Sequence, residues 1–403
     1  MKRFTTIFYN GIFTKKAMLL FIVTSLFLFF GCSDQTSSSS LIIIDTSRDY
    51  PESNLKLSDV AQVTYVPLKY GKDSTIFSNP GSLAVAVFHD TLFILNRRVP
   101  YFAQILLYDM LGNPLSKIDR QGSGPGEYIT LGNFILDTLR REIYGWDRES
   151  KKMLVYDFKG NCLREKYFDN KYYDMVNISP DYLLGYNDNS QYMSMFKENR
   201  LVRTKKKTIT FINKKDFTEQ VSGFDYAKPM INGTQCIVGN HTFTKDGLYI
   251  TCDRSDTVYF LDRHLKLIPR IVDITPHSAK RESMIKPIIE TERYIFISKQ
   301  YRWQYGLGKG VAAKRPDFYV YDKAKKKLFR LKKDQKMEDP FLLVNNYIAI
   351  HQYMITQNHN YIATYLDPLK LLDNYKTLPP ELKSITETLK EGDNPVVMLI
   401  KFK

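Results

Sequence analysis

Ile105–Leu115 (ILLYDMLGNPL) and Met153–Leu163 (MLVYDFKGNCL) are two copies of one pattern, 48 residues apart. Each is a run of β-forming residues ending in an acid, Asp109 or Asp157. A glycine follows three positions later, Gly112 or Gly160, and then a second β run begins. Asp suits the start of such a turn because its carboxylate accepts bonds from nearby backbone amides. Gly supplies the positive φ that closes a bulged hairpin. Weaker copies follow at Thr208–Asp216 (TITFINKKD), Thr257–Leu265 (TVYFLDRHL) and Phe318–Phe329 (FYVYDKAKKKLF). They lose the glycine and keep Asp or Asn. Asp109 to Asp322 spans 213 residues in four steps, about 53 each. That is the length of one four-stranded propeller blade.

The second copy spells out a whole blade: Asn133–Asp137, Glu142–Asp147, Met153–Asp157 and Cys162–Phe168. These runs are short and separated by turn residues. Five copies leave one blade to find. Val396–Phe402 (VVMLIKF) near the C-terminus and Gln62–Leu68 (QVTYVPL) near the N-terminus are both β runs. Pairing them in a shared blade would close the ring and remove its open edge. The expected fold is therefore all-β: a six-bladed β-propeller of four-stranded blades, closed by its N- and C-terminal strands. One late helix is expected within Asp367–Glu391. Pro379, Pro380 and Glu381 suit its first turn, and Gly392 suits its stop. Leu382, Ile385 and Leu389 share a face that would pack on the propeller.

Residues 1–31 read as an export signal. Lys2, Arg3, Lys15 and Lys16 precede an uncharged apolar run, Ala17–Phe30. At 14 residues this run is short for a membrane-spanning helix, which needs about 20. Gly31-Cys32 follows, and a small residue before Cys at that point resembles a bacterial lipoprotein signal. The resemblance implies lipidation of Cys32 and removal of the segment before it. Phe29 and Phe30 depart from the usual residues there, and the alternative is an uncleaved anchor. Residues 32–40, with four consecutive serines from Ser37 to Ser40, form a polar tether with nothing to bury. The propeller then occupies 41–403.

Between blades, Gly122–Tyr128 (GSGPGEY) resembles the glycine-rich stretch of NHL-type repeats. Leu57–Val60 (LSDV), Tyr65–Leu68 (YVPL), Glu290–Tyr294 (ETERY) and Asp393–Val396 (DNPV) add to the likeness. Together they make the chain similar to the six-bladed propeller lipoproteins of Bacteroides-type bacteria. The resemblance implies fold and address: a cell envelope, with the outer membrane as anchor and its periplasmic or surface side left open. It implies no reaction. Gly122–Gly126 lacks the Gly-Lys-Ser/Thr ending of a phosphate loop and precedes a strand, so a tight blade crossing is expected there.

In a propeller, the loop from strand two to strand three and the crossing between blades emerge on one face. Long loops of this face are expected at Asn187–Lys206 and Lys299–Pro316, and loops on a rigid scaffold are where binding usually sits. Strand two of four blades ends in a polar residue and a cation: Asn96-Arg97, Asp147-Arg148, Asp253-Arg254 and Ser298-Lys299. Such a partial ring would steer an anionic ligand; the alternative is solvated turn residues. Tyr301, Trp303 and Tyr305 would stack on sugar rings or pack on the insertion. Tyr128 completes the set of binding candidates.

The net charge of +15 invites nucleic acid, but four of the cations lie in the signal and none of the acids do. The other cations are spread over many loops, so no nucleic-acid partner is expected. No His-Glu-x-x-His, Gly-x-Ser-x-Gly or Cys-x-x-Cys occurs, so no catalytic residue, metal or cofactor is assigned. Cys236 and Cys252 could pair across a hairpin; the alternative is isolated buried thiols. The expectation is a monomeric binding module for a glycan, a peptide or an envelope partner. The alternative is a hydrolase or lyase with its site at the central channel.

Overall fold

The computed structural model describes residues 41–71, 84–98, 102–170, 172–187, 209–221, 238–252, 255–276, 283–301, 317–331 and 360–403. The chain from Leu41 to Lys403 forms one compact unit. It opens with three strands, β1 (Ile42–Ile44), β2 (Glu52–Ser53) and β3 (Ala61–Pro67), and a one-turn helix at Leu57–Val60. Six sheets then build the ring. Blade I holds β4–β7 (Ala84–Phe88, Thr91–Arg98, Phe102–Asp109, Pro114–Ile118), and blade II holds β8–β11 (Leu131–Asp137, Glu142–Asp147, Lys152–Asp157, Cys162–Tyr167). Blade III holds β12–β15 (Tyr172–Asn177, Tyr182–Asn187, Ile209–Asn213, Glu219–Val221), and blade IV holds β16–β19 (Val238–Phe243, Gly247–Cys252, Thr257–Asp262, Leu267–Asp273). Blade V holds β20–β23 (Ser283–Glu290, Tyr294–Tyr301, Asp317–Asp322, Lys327–Leu331). Blade VI, among the described residues, is β24 (Tyr361–Leu366), β25 (Val396–Phe402) and β3. The protein is a six-bladed β-propeller.

β25 runs antiparallel to β3 from Val396 opposite Pro67 to Phe402 opposite Ala61, so the two chain ends share one blade. The core is not central but divided into six apolar wedges, one at each blade interface. The wedge between blades VI and I contains Val66, Val85, Leu106, Tyr365 and Val397. It shows that the ring is closed by packing as well as by the ladder. First strands of blades I and II, II and III, and IV and V lie side by side. These strands are buried, while the outer strands β7 and β11 are mostly exposed.

The repeated turn works as its residues dictate. Oδ1 of Asp109 accepts from the amides of Leu111 (2.9 Å) and Asn113 (2.8 Å). Asp157 does the same for Lys159 and Asn161, and Asp262 for His264 and Lys266, all at 2.9 Å. Positive φ survives the loss of glycine: Phe217 (59°), Leu265 (64°) and Lys326 (52°) adopt it in the weaker copies. Phe217 buries its ring in the wedge between blades II and III, which offsets the backbone strain.

Gly112 has no such latitude. Its φ is 76°, and a Cβ there would lie 1.9 Å from the carbonyl oxygen of Pro67. Gly112→Ala should cost about 2–5 kcal/mol, from left-handed strain plus a backbone clash. Gly392→Ala, with nothing within 4 Å of its Cβ, should change stability by less than about 0.5 kcal/mol. Urea melts of the two variants check the contrast.

The stretch before β3 carries two strands that the sequence reading did not assign. β1 adds in parallel to the outer strand β19 of blade IV, and β2 adds in parallel to β23 of blade V. Ile42 and Ile44 enter the wedge between those blades. The late insertion differs from the sequence-based expectation of one helix. It is a helix at Pro368–Asp373 capped by Asp367, a 3-10 turn at Tyr375–Thr377 and a helix at Pro380–Thr386. The proline pair Pro379-Pro380 forces the second start. Leu382 is fully buried, and Ile385 and Leu389 pack on the wedge between blades V and VI, as their shared face predicts.

Candidate ligand-binding site

The glycine-rich crossing is a pinned corner. The Gly122 amide donates to Tyr128 O (2.9 Å), and the Tyr128 amide donates to Arg120 O (3.0 Å). Side chains of blade II hold the corner down. Glu165 accepts from the Gly126 amide (2.7 Å), the Tyr156 hydroxyl donates to Gly126 O (2.9 Å), and the buried Lys152 ammonium donates to Gly124 O (3.3 Å). Tyr128 itself is fully buried and donates its hydroxyl to Ala103 O at 2.7 Å. It belongs to the seam between blades I and II and offers no surface to a ligand, a correction to its place among the binding candidates. Sequence spacing cannot show which way an aromatic ring faces.

Arg97 and Lys299 lie within the last three residues of the second strands of blades I and V, and Arg148 just beyond that of blade II, all half-buried. Arg254, Trp303, Tyr305, the side chain of Tyr301 and Cys32 lie outside the described residues, as do Cys236 and the side chain of Cys252. Asp147, beside Arg148, caps its own turn: Oδ1 accepts from Glu149 N (3.1 Å) and Ser150 N (3.2 Å), and Oδ2 from Ile129 N (2.7 Å). Arg97 turns inward. Its guanidinium donates to Gly132 O on the first strand of blade II at 2.6 Å.

There it joins polar groups that the sequence reading missed. Asn133 on β8 donates through Nδ2 to Asp174 Oδ1 on β12 (3.2 Å), linking the first strands of blades II and III. Each of these residues follows a β-bulge in its strand, which re-aims the side chain. Asp174 Oδ1 also accepts from the Met175 amide at 2.8 Å. Opposite Asp174 in the ladder stands Tyr186, fully buried. His241 of blade IV stacks on the Tyr186 ring, with centroids 5.9 Å apart and planes 15° apart. Further round, Lys286 lies on the first strand of blade V. Among the described residues, no group of three His, Cys, Asp or Glu side chains is placed to hold a metal.

Burial decides the protonation of these groups. It raises the Asp174 carboxyl to about 6, with the Asn133 bond, the Met175 amide and the Arg97 charge pulling the other way. It lowers the Lys286 ammonium to about 8. A raised carboxyl means that the folded state holds its proton longer than the unfolded chain does. Its contribution to stability is therefore full below about pH 4 and is lost as pH rises through about 6. Asp174→Asn keeps the shape and removes the ionisation. The variant should match the wild type at pH 4 and exceed it by on the order of 2–3 kcal/mol at pH 8. Paired urea melts at the two pH values test this. A constant difference would show that Asp174 ionises without penalty.

The signal available in sequence was a charged residue inside an apolar first strand, Asp174 in YYDMVN and Lys286 in SMIKPIIE. Which strand is innermost becomes clear only once the blades are counted.

The fold recurs in solved structures. A Bacteroides fragilis protein named for inferred export is similar at 15% identity and a TM-score of 0.60, over 90% of this chain and 100% of that one. A Bacteroides vulgatus member of the DUF4221 family is similar at 9% identity and a TM-score of 0.51, over 85% of this chain and 97% of that one. At such identities the likeness speaks for the fold alone. No curated protein matches the chain. A model of a domain of unknown function, DUF4934, matches residues 41–401, and the chain belongs to that family.

Proposed function

We propose that this protein is an exported propeller, held to an envelope membrane by lipid on Cys32, that binds a ligand rather than transforming one. The observation that carries the binding reading is the polar cluster of Asn133 and Asp174 on the first strands of blades II and III with Arg97 and Tyr186 from neighbouring second strands. Buried polar groups cost stability, and their retention around Tyr186, whose hydroxyl stays unpartnered among the described residues, supports a ligand-binding role. The closed ring provides the rigid support that preorganised binding requires. Export is supported by the basic-then-apolar start and by the name of the Bacteroides fragilis relative. Lipidation is supported by the Gly31-Cys32 resemblance, and an outer-membrane location by the likeness to the propeller lipoproteins of Bacteroides-type bacteria.

A glycan, a peptide or an envelope protein are the ligand classes such a module serves. Full-length protein in a detergent without a sugar headgroup, probed on glycan and peptide arrays, tests the binding reading. Silence on both would count against it. For the anchor, metabolic labelling with a fatty acid should mark the wild type and leave Cys32→Ser unlabelled and released from the membrane fraction. Equal labelling would remove Cys32 as the site.

A further inference from the structure

The seam between blades II and III has a chemistry specific enough to name its ligand class. Arg97 of blade I donates to Gly132 O, and the next residue, Asn133, bonds Asp174, so one guanidinium and one carboxylate stand close together here. Asp174 has Oδ1 occupied by the Met175 amide and Asn133 Nδ2. It nevertheless keeps exposed surface on a central strand, so solvent reaches the site beside it. Tyr186 stands directly opposite Asp174 in the ladder, and its hydroxyl feels the Asp174 charge. It is buried and has no hydrogen-bond partner among the described residues. Leaving a buried hydroxyl without a partner costs about 1–3 kcal/mol. Such a group calls for an explanation, and one is a partner that comes from outside. The stacked His241 ring holds the phenol in position.

We propose that this seam binds an uncharged polyhydroxyl compound, a sugar or a polyol, with Asp174 at its open edge and the Tyr186 hydroxyl as its floor. This rests on the binding-module reading and adds the site and the chemical class. The charges decide the class. An ammonium group would meet Asp174 but face the Arg97 guanidinium. A carboxylate or phosphate would meet Arg97 but face Asp174. Like charges set against each other at a desolvated contact are strongly unfavourable. A ligand hydroxyl conflicts with neither, because it both donates and accepts. It can donate to the carboxylate and accept from Tyr186, while a neighbouring ligand oxygen accepts from Arg97.

The test uses full-length protein in a detergent without a sugar headgroup. The probes are uncharged mono- and oligosaccharides, with glycerol and sugar alcohols as the polyol arm. At least one probe should raise the melting temperature of the wild type, and its affinity should hardly change between low and high salt. Tyr186→Phe and Asp174→Asn should each weaken that probe at least tenfold. The unliganded melting temperature of Tyr186→Phe should hold or rise, because a partnerless hydroxyl is removed; that separates a binding role from a folding one. A sugar-only response assigns the site to glycans, and a polyol-only response to small polyols. Wild-type affinity in Tyr186→Phe, or no uncharged probe bound, would overturn the inference. In the second case, a peptide or acidic glycan captured on the arrays would leave the broader binding reading standing, whereas silence there as well would remove both.

Discussion

A chain ending at Asn394 should fail to fold. That truncation deletes β25, whose apolar side chains Val396, Val397, Met398, Leu399, Ile400 and Phe402 are each at most 4% exposed. Burial of one such side chain is worth about 1.5–3 kcal/mol, so the six together contribute roughly 9–18 kcal/mol. Whole domains are stable by only about 5–15 kcal/mol. The loss also falls on two wedges at once, those joining blade VI to blade V and to blade I. β3 is left without its ladder partner, and the ring opens at an unpaired edge. Far-ultraviolet circular dichroism and gel filtration should show an expanded or aggregated chain with no cooperative melt. The comparison is a chain that begins at Leu55, which lacks β1 and β2 but keeps β3. It loses Ile42 and Ile44 from the wedge between blades IV and V and leaves the edges of β19 and β23 bare. Those are outer additions to blades already closed, so this chain should fold and melt cooperatively at a lower temperature. A cooperative melt in the chain ending at Asn394 would show that closure by β25 is dispensable.

The contrast between those truncations follows what the sequence could and could not show. The pairing of Gln62–Leu68 with Val396–Phe402 was legible because both are long β runs at the ends of a chain one blade short. The turn at Asp109 and its copies was legible because the Asp acts on amides two to four residues away. The strands β1 and β2 were not. At three and two residues, they take their conformation from outer strands more than 200 residues later, and nothing local marks that. The site divides in the same way. Arg97 was found from its recurrent place after strand two, but its inward turn to Gly132 depends on the neighbouring blade. Asp174 and Asn133 meet only because two blades bring their first strands together. Tyr128 shows the converse. Its motif placed it correctly at the crossing, and the ring then buried it.

Replacing Asp137 by Ala should cost about 3–5 kcal/mol, the loss expected when one member of a buried ion pair is removed. Asp137 ends the first strand of blade II, and its Oδ2 lies 2.8 Å from the Lys214 ammonium of blade III. Both side chains are at most 2% exposed. Arg140 adds a contact at 3.3 Å to Asp137 and one at 3.1 Å to Asp181 of blade III. Burial is the largest single influence and would raise the Asp137 carboxyl, but the Lys214 ammonium together with the Arg140 amide and guanidinium outweighs it, and the net shift is downward. For Lys214, burial dominates and lowers the ammonium despite Asp137. Without Asp137, the lysine loses the partner that holds its proton in place. The sign of the pH dependence follows. A lysine depressed in the folded state costs stability below its unfolded pKa, and that cost disappears as pH rises. The deficit of Asp137→Ala should therefore be largest near pH 7 and narrow toward pH 10. Adding Lys214→Met removes the stranded charge and fills its space with an apolar chain. The double variant should recover most of the loss, because a well-packed apolar group often replaces a buried ion pair at little cost. A double-mutant cycle by urea denaturation measures the coupling. Additive losses would mean that the two blades are joined here by packing alone, and the pair would then be a consequence of the seam rather than one of its fastenings.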